Sequence, residues 1–167
     1  MSVHYIQTQQ RIPVSLDEAW DFFSHPANLA LITPERLNLK FTNRLFGGDM
    51  YPGQVMTYRV KPIPVIPMFW MTEITHVKHK QYFVDEQRVG PYTLWHHQHH
   101  FREIEGGVEM TDLVHYKIPG WFLGDIANYL FIRRELNGIF RFRFDQVENR
   151  FGSWEGIKEL NLVKTDP

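Results

Sequence analysis

The chain has 167 residues, 18 basic against 19 acidic side chains and no cysteine. This near-neutral balance gives no broad electrostatic footprint for nucleic acid or an anionic membrane. The missing thiols exclude disulfides, thiolate nucleophiles and cysteine-held zinc or iron–sulfur centres. With 43% hydrophobic and 22% charged residues, residues 1–167 read as one globular domain with no repeat, linker or low-complexity tract. The opening segment MSVHYIQTQQRIPV lacks the layout of a signal peptide, and no apolar run approaches the ~18 residues of a spanning helix. The expected setting is the cytoplasm.

Residues 3–14 read as a first strand, with His4, Ile6 and Thr8 on one face and Val3, Tyr5 and Gln7 on the other. Ser15 and Glu18 form a capping-box pattern that starts a short helix through Ala19, Trp20, Phe22 and Phe23. His25-Pro26 restarts a second short helix carrying Leu29 and Ile32, which Thr33-Pro34 should end. From Leu37 the text LNLKFTNRL reads as strand, followed by turn residues and a second strand QVMTYRV. The three prolines of KPIPVIPM cannot all sit in a central strand, because each removes a ladder donor. A hairpin loop or edge irregularity at a cavity mouth is expected there. FWMTEITHV alternates Phe69, Met71, Glu73, Thr75 and Val77 against Trp70, Thr72, Ile74 and His76.

Residues 83–116 then read as three strands joined by turns at Gly90-Pro91 and Gly106-Gly107. In the middle strand Trp95, His97, His99 and Phe101 share one face, and His96, Gln98, His100 and Arg102 the other. The next strand puts Met110, Asp112, Val114 and Tyr116 together. A face mixing aromatics with His, Asp and Tyr is unusual for a plain core, so it is expected to line a cavity. From Asp125, a helix cap, to a left-handed stop at Gly152, the apolar residues Ile126, Leu130, Leu136, Phe140, Phe144, Val147 and Phe151 recur at helical spacing. Arg133-Arg134 and Arg141/Arg143, interleaved with acids, read as a solvated face. Phe131 or Phe142 is left either to be exposed, which hints at a homodimer or a membrane-like ligand donor, or, the favoured alternative, to pack against the sheet rim or the C-terminal tail. In the tail, Trp154 and Leu160 are candidate anchors.

The runs DEQRVGPY, WHHQHHF, GG and TDLVHYKIP resemble the SRPBCC superfamily, which holds START lipid-transfer domains, birch-pollen-allergen-like proteins and polyketide cyclase/dehydrase-like proteins. The likeness is greatest to its small bacterial ligand-binding-like members and spans residues 3–152. It implies an α+β helix-grip fold: a curved antiparallel sheet of about seven strands wrapped around a long C-terminal helix, with two short helices after the first strand.

Function is weighed among several readings. There is no GxSxG, HExxH, GxGxxG or P-loop pattern. The leading reading is a non-enzymatic carrier or sensor that binds a small hydrophobic molecule, with no cofactor, no metal and no nucleic acid. Trp70, Trp95, Phe101, Tyr116, Phe140 and Phe144 would supply apolar walls, and Glu73, Gln87 (or Asp85), His97, His99 and Asp112 would orient polar groups. The bland counterpart is a buried polar network with no ligand. The resemblance also permits a cofactor-independent cyclase or dehydratase, with His97, His99, Asp112 and Tyr116 as catalytic candidates, or an interaction module with a vestigial pocket. A metal held by the His96–His100 cluster with His76 and His79 is the weakest reading, because two-residue spacing on a strand is a loose signature.

Overall fold

The structure, a computed structural model, describes residues 2–44, 48–63, 66–120, 124–126 and 128–154. Seven strands are present: β1 (His4–Ile12), β2 (Lys40–Phe41), β3 (Val55–Ile63), β4 (Ile66–Lys78), β5 (Tyr82–Val89), β6 (Leu94–Ile104) and β7 (Gly107–Lys117). They form one antiparallel sheet in the order β1-β7-β6-β5-β4-β3-β2. Short turns join β4 through β7, and β1 returns to pair with the last strand, with Ile6 opposite Val114. This is the helix-grip α+β architecture that the sequence implies.

Helix α1 (Leu16–Phe23) starts where the Ser15 hydroxyl accepts the Glu18 backbone N–H at 3.2 Å, one half of the expected capping box. It buries Ala19, Trp20, Phe22 and Phe23. The second short helix is a 3₁₀ turn sequence over Pro26–Ile32. It ends with the Thr33 hydroxyl donating to the Leu29 carbonyl at 2.7 Å.

Three expectations change in detail, and one gains a precise form. The strand from Leu37 shrinks to Lys40–Phe41, because Glu35–Leu37 makes a 3₁₀ turn that closes on left-handed Asn38. Of the proline segment, Pro62 lies in β3 and Pro67 in β4, and the expected edge irregularity is a register shift between Val60 and Ile63; β2 is too short to cover this part of β3, so Pro62 leaves no unmet partner, and Pro64 lies outside the described residues. The C-terminal helix begins at residue 124. There the Asp125 carboxylate meets the Ser2 backbone N–H and His4 Nε2 on the β1 side. Gly152 does stop the helix at φ 95°, but with ψ 159° it is extended rather than left-handed helical.

The C-terminal helix is not one α register. Asn128–Ile132 is a π-turn, and the regular helix α2 runs over Arg133–Phe151. The extra residue in a π-turn rotates everything before it by about 100° relative to α2. Ile126 and Leu130 therefore leave the buried stripe and are half exposed, while Tyr129 and Phe131 are mostly exposed. Within α2 the buried apolar residues are Leu136, Phe140 and Val147. Phe144 and Phe142 are half-buried, and the Phe144 carbonyl accepts from Gln10 Nε2 at 3.0 Å. Trp154 packs beside the Gly106-Gly107 turn; Leu160 lies outside the described residues. Among the described residues no helix is long and apolar enough to cross a membrane.

Candidate functional site

Strand alternation aims a continuous set of side chains from β3, β4, β5 and β6 at α2. On β4 these are Trp70, Thr72 and Ile74, and on β6 Trp95, His97, His99 and Phe101. The sheet and helix do not meet fully, and a cavity of about 160 Å³ remains between them. Its upper wall is aromatic. Trp70 packs edge-on to Trp95 with ring centroids 5.4 Å apart, Tyr92 lies 4.9 Å from Trp95, and Tyr58 stacks on Trp70 at 6.1 Å. Half-buried His25, Asn28, Leu29 and Ile139 mark where the cavity meets solvent.

The floor is polar. His97 and His99, two apart on β6, have ring centroids 3.8 Å apart and are flanked by Phe83 and Phe140. Asp85 on β5 and Asp112 on β7 close the group from either side. Carboxylates only accept, so the imidazoles donate: His97 Nε2–H to Asp112 Oδ1 at 3.0 Å and His99 Nε2–H to Asp85 Oδ1 at 3.0 Å. The other two nitrogens stay close, His99 Nδ1 at 2.7 Å from Asp112 Oδ1 and His97 Nδ1 at 3.4 Å from Asp85 Oδ1.

Burial and pairing split the two imidazoles. Burial pushes His97 down, the neighbouring His99 pushes it further, and the carboxylates only partly offset this, so His97 is held neutral. Burial also lowers His99, but Asp112 and Asp85 outweigh it and raise its affinity for the proton. Burial raises the Asp112 carboxyl, yet the His99 charge and the hydrogen bonds from both imidazoles hold it well below the usual carboxylate range. Asp85 follows the same pattern more weakly, burial opposed by His97 and His99. The corner thus sets an imidazole of raised proton affinity between two carboxylates, beside one whose proton affinity is lowered.

A fourth charge comes from α2. Arg143 lies three residues after Phe140 and four before Val147, so it belongs to the stripe that faces the sheet. Its guanidinium stands over the Phe140 ring at 5.1 Å, and its Nη1 stops 3.8 Å from Asp112 Oδ1. Reading Arg143 as part of a solvated face is therefore wrong. Its spacing against Phe140 and Val147 was the available signal, masked by grouping it with Arg133, Arg134 and Arg141.

The expected site residues divide clearly. Trp70, Trp95, His97, His99 and Phe140 line the cavity, and Asp85 does so rather than Gln87. The Gln87 amide instead clasps the turn, donating to the Tyr92 carbonyl at 2.6 Å and accepting the Tyr92 N–H at 3.2 Å. Asp112 and Phe144 line a smaller neighbouring pocket against β1. Phe101 is core, packed on Trp20, Phe23 and Phe83. Tyr116 is fully buried behind Tyr92 and Trp95. Glu73 is a correction: with Thr72 and Ile74 inward, residue 73 must point outward, where it takes a 2.6 Å bond from Arg88 Nε. Sequence reasoning missed Tyr58 and Tyr92 as wall residues. Tyr92 stands in a turn, where no alternation assigns a face.

The histidine cluster on the outer face is not gathered into a site. His96 bonds Glu86 at 2.9 Å, His100 bonds Gln98, His76 bonds Thr75, and His79 packs on Trp20. Among the described residues the group with metal-ligand proximity is Asp85, His97 and His99, whose donor atoms lie within 4.8 Å. A cation there would have to displace the proton that His99 shares with Asp85, with the Arg143 guanidinium already facing Asp112. The arrangement is a hydrogen-bonded ion cluster.

No family model matches the chain, and no curated protein matches it. Solved structures do. The KanY protein (ms6282) superposes with a TM-score of 0.67 at 10% identity, over 90% of this chain and 99% of that one. Protein Ms6760 from Mycobacterium smegmatis gives 0.61 at 14%, over 87% and 89%. Ara h 8.0201 gives 0.59 at 14%, over 89% and 99%. At such identities the likeness establishes the fold alone. On that ground the chain has the helix-grip fold of the Bet v 1-like proteins.

Proposed function

We propose that the chain is a member of the SRPBCC superfamily that binds a small hydrophobic molecule non-covalently in the cavity between sheet and α2, as a carrier or sensor. The observation that carries this reading is an aromatic cavity of about 160 Å³ left open in an otherwise close-packed interior. Cavities larger than a water are few in protein cores, and an apolar one of roughly 150 Å³ takes a benzene-sized guest. The ion cluster beneath supplies the few oriented polar groups that such sites use to fix a ligand. Native mass spectrometry of freshly purified protein, followed by organic extraction, tests the reading. A stoichiometric apolar compound, or a thermal shift with one-ring apolar probes, is expected; protein that neither carries nor takes up any such compound would overturn it.

A second reading, a cofactor-independent cyclase or dehydratase, is favoured by one observation. Asp112 fixes the tautomer of a neutral His97 at the cavity floor, the arrangement a general base requires. His97→Gln should then abolish turnover of an aromatic or polyketide-like substrate while its affinity is kept. Loss of both together would speak for binding alone.

A further inference from the structure

Most of the cavity's unmet hydrogen-bonding groups are N–H donors; the other is His99 Nδ1, which stands 2.7 Å from Asp112 Oδ1 without hydrogen-bond geometry. Trp70 Nε1 is buried at the wall without a protein acceptor among the described residues, and so are Nε and Nη1 of Arg143. Trp70 is only 9% exposed and Arg143 12%, and both line the cavity. By contrast, the acceptors that share this space are engaged. Asp85 Oδ1 receives His99, and the Tyr58 hydroxyl and Thr72 Oγ1 bond each other at 2.9 Å. The buried acceptors that do lack a partner, on Ser24 and Asn137, are not cavity groups.

Leaving buried N–H groups unmet costs more than the bonds themselves contribute, and for a guanidinium the cost is largest. Helical phase turns Arg143 toward the sheet, over Phe140 and toward Asp112, yet leaves Nε without an acceptor. A buried guanidinium whose Nε has no acceptor, and whose Nη1 stops 3.8 Å short of Asp112, can receive a further carboxylate. The charges of the corner also leave room for one anion. Arg143 faces the Asp85 and Asp112 carboxylates, and the two imidazoles, His97 standing 3.4 Å from Asp85, can take up protons when another negative charge arrives.

We infer that the ligand is an apolar carboxylic acid of about one-ring size, whose hydrocarbon body lies among Trp70, Trp95 and Tyr92 and whose carboxylate is received by Arg143 and the Trp70 indole N–H. This rests on the binding reading above and narrows it. It sets size by volume and head group by the sign of the unmet groups. A long-chain lipid would exceed the 160 Å³ cavity.

The test is titration calorimetry with matched pairs, benzoate against benzamide and phenylacetate against phenylacetamide, with toluene as a purely apolar control. The acids should bind at least tenfold tighter than their amides. Arg143→Gln should erase that preference and leave amide and toluene binding in place, Arg143→Lys should keep part of it, and Trp70→Phe should weaken the acids several-fold. Equal affinity for acid and amide, or an acid preference that survives Arg143→Gln, overturns the inference. If Arg143→Gln fails to fold, the acid-to-amide ratio of the native protein decides alone. Toluene binding without acid preference sinks the carboxylate and leaves the binding reading standing; no binding of any probe sinks both.

Discussion

Asp112 is the residue on which most of the buried charge depends, since both imidazoles touch its Oδ1 and Arg143 approaches it. Its folded pKa lies below its ordinary value of 3.8, so its stabilisation is present above that pH and lost as pH falls through the depressed value. His99 is shifted the other way from 6.5, so its contribution is full below that pH and fades as pH rises through the raised value. Asp112→Asn should therefore cost about 3–5 kcal/mol where the carboxylates are ionised and His99 is charged. Urea unfolding across pH should show the gap to the native protein widest between the two ordinary values, 3.8 and 6.5, and narrowing on either side. A gap independent of pH would refute the charge assignment. The two faces of β6 make a second comparison. His97→Ala and His99→Ala should lower stability or binding, while His96→Ala and His100→Ala should stay within about 0.5 kcal/mol.

At the scale of elements, period-2 alternation made β6 and β7 legible. The inward placement of His97, His99 and Asp112 follows from pattern alone, because one face of each strand is buried. Alternation, rightly applied, also places Glu73 outside. Its inclusion among ligand groups came from chemistry rather than from register. Arg143 was illegible for the opposite reason: charge argued for solvent while its helical phase argued for the core, and the phase was right. The π-turn left no sequence mark, and without it a single helix must carry Ile126 and Leu130 inward. Gly138 lies exposed in α2, and a Cβ there would meet only Arg36 Nη2 at 3.8 Å. Gly138→Ala should stabilise the protein by about 0.5–1 kcal/mol, read as a higher urea midpoint. Gly107→Ala should do the reverse, because a Cβ would collide with the Ile12 carbonyl at the end of β1.

For the whole molecule, stability and ligand occupancy are linked through the cavity. A ligand at a hundred times its Kd adds about 2.7 kcal/mol, which in a domain of this size raises the melting temperature by roughly 5–10 °C. Phe140→Ala, which removes the ring between Arg143 and His97, should cost about 3–5 kcal/mol and abolish that ligand-induced rise. A variant that melts early but still responds fully to ligand would place the binding site elsewhere.

The pairing of β1 with β7 has a consequence for the protein's birth. His4 lies opposite Tyr116 and Ile12 opposite Val108, so the first strand leaves the ribosome with its partner not yet made. At ordinary elongation speeds of about 5–20 residues per second, that wait is roughly 5–20 s. Throughout it, a segment holding Ile6 and Ile12 offers an unpaired strand edge. The sheet then closes only when the last strand emerges, which makes this a slow-folding topology rich in distant contacts. Nascent chains stalled before residue 107 should stay open to protease at β1, and those stalled well beyond residue 117 should be protected.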